Sequence, residues 1–338
     1  MSLDLYVDGP RWRAHLRDVA STTAGMVPVA KGNGYGFGMP SLARRAAWLG
    51  CDTIAVGTYR EVADVVQRFE GDVLVLEPWR PFHEHLTYGP RIVHTVGRLE
   101  DLRALGGRDD SPRVVLEGLT SMMRHGFSMA DLVTAGRHAR GVRVEGHALH
   151  LPLGRGHLGE VARWLAAAPK PRWFVSHLGT DELAHLRAGH PEVEFRPRIG
   201  TSLWLGAPDA LSAKATVLDV HPVSRGDRAG YRQRKLPRDG TVLVVSGGTS
   251  HGIALEAPAA PTSVRRRARS LANGGLEAAG LALSPYQVSG RARWFVEPPH
   301  MLVSLIFVPK DVSAPQVGDL VDVRVRHTTT LFDAVHIS

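Results

Sequence analysis

The chain has 338 residues, 43% apolar and 22% charged, which gives room for about two domains with sizeable cores and excludes disorder or a collagen-like repeat as a description of the whole. Its single cysteine, Cys51, excludes an intramolecular disulfide and any zinc finger built on cysteines. Lysine and arginine number 41 against 33 aspartates and glutamates, a net charge of +8 that attracts anions in general without choosing among phosphate, carboxylate and polymer.

The opening stretch MSLDLYVDGPRWR has no apolar run between a basic start and a cleavage site, so no signal peptide is expected and the cytoplasm is the default location. From Met26 to Gly200 one pattern repeats: a short β-branched run, then a segment with helical spacing. The runs are MVPVAK, TIAVG, DVLVLE, RIVHTV, RVVLEG, VRVEGHALH, WFVSH and FRPRIG, separated by segments such as MPSLARRAAWLG, REVADVVQRF and GEVARWLAAA. Eight parallel strands alternating with helices make an α/β fold, a (β/α)8 TIM-type barrel. After Ala207 the texture changes to ATVLDVHPV, GTVLVVS, MLVSLIFV and LVDVRVRH between Gly-, Pro- and Asp-containing turns, a mainly antiparallel β domain. The division expected is a barrel over residues 10–210 and a C-terminal β domain over 211–338, with residues 1–9 a candidate addition to the latter. One helix is expected around Ser263 to Ala282; its basic run Arg265 to Arg269 lacks interleaved aromatics and reads as a solvated helix face, so no nucleic-acid partner is expected. The apolar run Leu302 to Val308 is broken by Ser304 and is far shorter than the roughly 20 residues that span a bilayer, so no membrane partner is expected either.

In such a barrel the working residues sit just past the C-terminal strand ends. The residues found there are Lys31, Arg124, His150, Thr180, Arg198, Gly200 and Thr201. A lysine at the end of a buried first strand either snorkels to the rim or is used as an amine. Gly32, Gly34, Gly36 and Gly38 behind it leave room for a flat ligand, and the late Gly-and-hydroxyl loop is of the sort that cradles a phosphate.

The segment VAKGNGYGFG resembles the pyridoxal-phosphate lysine motif of the alanine racemase family, and the resemblance continues through TIAVGTYREVADV, MMRHGF and RPRIGTSLWLG, covering most of residues 3–245. It implies pyridoxal 5'-phosphate as cofactor, Lys31 as the internal aldimine lysine and catalytic base, Tyr35 reaching the phosphate with Thr180, Gly200 and Thr201, Arg124 on the cofactor's phenolate oxygen, Arg198 on the pyridine nitrogen, and His150 in the pocket. Glu117 stands where many members carry a carbamate-modified lysine, and is read as the direct carboxylate support of Arg124 or as a plain strand-end glutamate. No metal is implied.

The chain also departs from the family. The family's second base is a tyrosine from the partner subunit's β domain; here the corresponding VLVVSGGTSHGI has no tyrosine, and sliding the match by one residue offers Ser250 or His251. Imidazole exchanges protons near neutral pH and serine alone does not, so His251 is the candidate catalytic base, the alternative being a loop histidine in a chain with 17 of them. The Met-Asp segment lining the family's carboxylate site is represented at best by His300 and Met301, a C-terminal tyrosine that reaches the phosphate is missing, and Tyr231 matches an entrance segment. The leading reading is a cytoplasmic homodimeric amino-acid racemase, an isomerase interconverting an L- and a D-amino acid. The alternatives are a one-base enzyme of the same fold, decarboxylase or aldolase type, and a non-catalytic cofactor-binding regulatory protein.

Overall fold

A computed structural model describes residues 2–83, 89–154, 156–255 and 282–338. The helix expected from Ser263, apart from Ala282, and the run Arg265 to Arg269 lie outside these residues. The chain divides into two compact units, one of Met1–Trp12 with Ala207–Ser338, the other Arg13–Gly206. It opens with strand β1 (Leu3–Val7) and helix α1 (Gly9–Thr22).

The second unit is a closed parallel barrel of β2 (Val27–Ala30), β3 (Thr53–Val56), β4 (Asp72–Pro78), β5 (Ile92–Val96), β6 (Arg113–Gly118), β7 (Arg143–His150), β8 (Arg172–Ser176) and β9 (Glu194–Ile199). Each of the eight apolar runs of the sequence holds one of these strands. Strands covered on both faces read as nearly continuous apolar stretches, which is why the pattern was strong. Val29, Ala55, Leu74, Val93, Val115 and Phe174 belong to the buried cluster that fills the interior. The helices between them are α2 (Met39–Trp48), α3 (Val62–Val66), α4 (Leu99–Gly106), α5 (Met129–Ala135), α6 (Leu158–Ala167), α7 (Thr180–Gly189) and α8 (Thr201–Trp204). Between β4 and β5 the described residues hold only a 3-10 turn, Pro81–His83. α2 shows the local logic: Gly38 enters it at φ +78°, Pro40 sits in its first turn, and Leu42, Ala43 and Ala46 form its buried face.

At the N-terminal ends of the strands, charged side chains link in an alternating series. Asp52 pairs with Arg196, Arg196 with Glu194 (3.2 Å), Glu194 with Arg172 (2.6 Å), Arg172 with Glu145 (3.7 Å), Glu145 with Arg113 (2.6 Å) and Arg113 with Asp72 (2.5 Å). Because five of the six links join two strands or the loops leading into them, and Arg196 and Glu194 share β9, the series bridges much of the barrel's floor.

In the other unit the sheet order is β13-β16-β15-β14-β17-β10-β1-β18, with β10 (Leu211–Val223), β13 (Gly240–Ser246), β14 (Leu283–Val288), β15 (Arg291–Phe295), β16 (Val303–Pro309), β17 (Leu320–Val323) and β18 (Ala334–Ile337). Since β13 also pairs with β10, strands β10 and β13 to β17 return on themselves. A separate ribbon joins β11 (Arg228–Ala229) and β12 (Arg234–Lys235). All pairings are antiparallel except β1 with β18. β1 pairs with β10 from Leu3 opposite Ala215 to Val7 opposite Leu211. Sequence reasoning did not pick out the β14–β15 hairpin, although Ser289 and Gly290, at φ +54° and +70°, form the two-residue left-handed turn that marks one. Buried Tyr286 places its hydroxyl 2.9 Å and 2.8 Å from the carbonyl oxygens of Ser246 and Gly247, fixing the end of β13.

Candidate active site

Lys31 directly follows β2 and is exposed at the C-terminal end of the barrel. Its amine is held below the ordinary lysine range, first by the protein atoms around it and then by the charge of Arg124, with Glu61 opposing and Arg198 adding to the shift. Tyr35, in the following 3-10 turn, adopts a left-handed backbone (φ 54°, ψ 25°) and is buried. A Cβ on Gly200 would stand 2.2 Å from the Tyr35 hydroxyl, so only glycine lets the phenol reach the start of α8. Burial pushes this phenol up to about 12 against a hydrogen bond with Thr201, leaving it a neutral donor at physiological pH. Trp204 ties α8 back to β2 by donating from Nε1 to the Val29 carbonyl (2.8 Å). Thr180 lies across the mouth as the exposed first residue of α7.

Glu117, in β6 and 1% exposed, is the electrostatic hub. Its carboxylate lies 3.8 Å from Arg124, 3.3 Å from His125 and 3.5 Å from Arg198. Burial alone would raise its pKa, yet the contact with His125 and the charges of Arg198 and Arg124 hold it below the usual carboxylate range. Arg198, in β9 and also buried, donates from Nη2 to the Leu149 carbonyl (2.9 Å), while among the described residues its buried Nε has no hydrogen-bond partner. Burial, opposed by Glu117, lowers its proton affinity. His150 ends β7 with Nδ1 3.1 Å from the Ser176 hydroxyl. Burial, helped by Arg198 and Arg124, pushes it down to about 3, so this imidazole is neutral and contributes no charge to the pocket.

Two residues of the mouth were not singled out from sequence. Glu61 accepts Gly32 N–H on Oε1 (2.7 Å) and Gly57 N–H (2.6 Å) and Thr58 N–H (3.0 Å) on Oε2, clamping the loop after β2 to the loop after β3. Gly57 is required there, because a Cβ would come within 2.9 Å of the Lys31 Cβ. The sequence signal was Thr58 followed three residues later by Glu61, a capping box, which says nothing of the reach across to Gly32. Replacing Glu61 by Gln keeps the reach and removes the charge that favours the Lys31 ammonium. The pH midpoint for reductive methylation of Lys31, followed by mass spectrometry on cofactor-free protein, is therefore expected to fall below that of the parent. An unchanged midpoint would show that Glu61 does not act on Lys31. The second residue, His177, leaves β8 at φ +58° and sets its ring edge-on to His150 at 5.3 Å. A left-handed non-glycine at a strand end is the kind of strain that gathers at functional sites, and no residue pattern announces it.

The β-domain candidate is placed differently. His251 closes a short turn, where Nδ1 accepts Gly248 N–H (3.3 Å) and lies 3.3 Å from the Ser250 hydroxyl, and Nε2 faces Asp333 Oδ1 (3.3 Å). Both ring nitrogens are thus engaged within this unit, and in this conformation His251 closes the loop with no lone pair open to a substrate proton. Ser250 donates to the Met301 carbonyl (2.7 Å). Tyr231, 85% exposed, sets its ring against that of His300 at a tilt of 35° with ring centres 4.5 Å apart.

Residues 7–187 match the family model described as the N-terminal domain of alanine racemase. The alanine racemase of Nitratidesulfovibrio vulgaris (strain DSM 19637 / Miyazaki F) is 30% identical over 257 residues, 66% of this chain and 68% of that protein. Among solved structures, the alanine racemase of Bartonella henselae with covalently bound pyridoxal phosphate superposes with a TM-score of 0.72 at 18% identity, over 97% of this chain and 91% of that one. The histidine racemase of Leuconostoc mesenteroides subsp. sake NBRC 102480 superposes with a TM-score of 0.64 at 19% identity, over 95% and 87%. The structural likenesses establish the fold, a parallel barrel with an antiparallel β domain, and the sequence matches establish the kinship: this chain belongs to the alanine racemase family.

Proposed function

We propose that the protein is a pyridoxal-phosphate-dependent amino-acid racemase, with Lys31 holding the cofactor and serving as the base on one face of the substrate. The observation that carries this reading is the pairing of an amine of lowered proton affinity with Arg198, whose buried Nε–H has no hydrogen-bond partner among the described residues. The donor set fits pyridoxal phosphate: Arg198 Nε–H suits an unprotonated ring nitrogen, and Tyr35, Thr180, Gly200 and Thr201 supply hydroxyl and backbone donors for a phosphate. Arg124, steadied by Glu117, suits a phenolate oxygen or a substrate carboxylate. The bound cofactor withdraws electrons from the amino acid's α-carbon and so acidifies its C–H bond.

The rest of the chemistry belongs to the chain. Arg198 would keep the ring nitrogen of the bound cofactor from taking a proton, which would weaken the electron sink and favour prompt return of the α-proton over other fates. Lys31 takes or returns that proton on its side. Neutral His150 adds a wall without charge. The second base comes from the β domain of a partner subunit in a homodimer; for His251 to fill that role its ring must give up Gly248 or Asp333. The cytoplasm suits this reading, and among the described residues no helix is long and apolar enough to cross a membrane.

The test is incubation with a panel of L-amino acids in deuterated water. A racemase yields the α-deuterated product with loss of chirality. Exchange with full retention for every substrate tried would move the protein to the one-base reading, and no exchange at all would leave a cofactor-binding protein without catalysis.

A further inference from the structure

Removing a proton from one face of a carbon and returning it to the other needs a second group, and the loop that carries His251 is hydrogen-bonded to another histidine. Thr249 N–H donates to the His300 carbonyl (2.9 Å) and Ser250 N–H to the Met301 carbonyl (3.1 Å), so His251 and His300 stand on one surface of the β domain. What distinguishes them is the state of their rings. His300 Nε2 donates to Glu297 Oε1 at 2.6 Å, and among the described residues Nδ1 has no hydrogen-bond partner.

Glu297 is built in. It is 4% exposed and accepts Tyr231 N–H on Oε1 (2.9 Å) and Arg232 N–H on Oε2 (3.2 Å). Gly230, at φ +76°, makes room for it, since a Cβ there would stand 2.2 Å from the Glu297 carboxyl carbon. Against burial, the contact with His300 and these backbone donors hold this carboxyl below the usual glutamate range. A buried carboxylate on one imidazole nitrogen fixes the tautomer, aims the other nitrogen and stabilises the cation formed when that nitrogen takes a proton. Around the ring Tyr231, Met301 and Leu302 are 85%, 71% and 53% exposed, leaving the imidazole on an apolar surface of the kind that marks a contact site.

We infer that His300, oriented by Glu297, is the acid/base group that the β domain contributes to the reaction, in place of His251. This rests on the racemase reading above. In one direction the Nδ1 lone pair takes the α-proton, giving an imidazolium paired with Glu297, while the Lys31 ammonium gives a proton to the opposite face. In the other direction the roles reverse, and the net change is inversion with no further reactant.

The experiment uses the holoenzyme and an amino acid that the parent racemises in deuterated water. His300→Gln keeps a donor for Glu297 and removes the base. It should lower racemisation by about 10² to 10⁴-fold, leave Lys31-dependent deuterium exchange with retention within a few-fold of the parent, and leave His251→Ala as the milder lesion. Glu297→Gln should lower racemisation less and shift its pH profile. Nitrogen-15 NMR on the cofactor-free parent provides a measurement that no variant can spoil by misfolding: His300 should be in the Nε2–H tautomer near neutral pH. Parental racemisation in His300→Gln, a larger loss in His251→Ala, or an Nδ1–H tautomer in the parent would overturn the inference while the racemase reading stands. A parent that racemises no amino acid overturns both.

Discussion

Lys31→Ala should give a folded protein that retains no cofactor. The side chain is exposed, and the bond its carbonyl accepts from Gly34 N–H at 3.1 Å is backbone and survives the change. Stability should stay within about 0.5 kcal/mol of the parent, as for most surface substitutions. Function should not survive: one amine serves as anchor and as base, so racemisation should fall by at least about 10⁴-fold, the upper end for a single acid–base group. After borohydride reduction in the presence of pyridoxal phosphate, peptide mapping of the parent should place the added mass on the peptide carrying Lys31. The four remaining lysines, Lys170, Lys214, Lys235 and Lys310, should carry none. A specific adduct on any of them in the Ala variant would sink the assignment.

Glu117→Gln should cost the barrel more than any change at its rim. The substitution leaves Arg198 fully buried beside Arg124 and His125 without the carboxylate that compensates them. Removing one partner of a buried pair typically costs about 3 kcal/mol or more, which for a barrel of this size lowers the midpoint of its thermal transition by roughly 6–12 °C. The pH dependence follows from the sign of the shift. The folded carboxyl is held below its unfolded value, so its stabilisation is complete above the unfolded glutamate pKa, about 4.3, and disappears as pH falls through the lower folded value. Thermal melts should therefore show parent and variant furthest apart near neutral pH and converging in strong acid. Equal melting temperatures at pH 7 would mean that Glu117 is not the charge that steadies the two arginines.

The barrel was legible because its eight strands are covered on both faces and so appear as unbroken apolar runs, and because a strand end followed by Lys31, Arg124 or Arg198 can be located by counting. The β domain was legible only in part. Arg291 and Arg293 in β15 and Pro285 in β14 dilute the hairpin's apolar pattern, and β1 meets β18 across almost the whole chain, a pairing no local window contains. In the site, the residue types at strand ends could be read, but relations between loops could not. Glu61 bonds Gly32 from 29 positions away, and His251 faces Asp333 from 82. Whether a histidine has a free nitrogen is settled by its partners in space, which is why the sequence offered His251 as the base and read His300 only as part of a carboxylate-site segment.

The chain of ion pairs along the barrel's floor gains meaning when set against the opposite end. The floor links four carboxylates to three guanidiniums, whereas the mouth sets Lys31, Arg124 and Arg198 against Glu61 and Glu117. The five mouth groups together carry one net positive charge, which raises the potential around Lys31. An anion near these groups is attracted over a range of about 8 Å at physiological salt and less as salt increases. The cluster thus draws in an arriving phosphate or carboxylate before any side chain touches it.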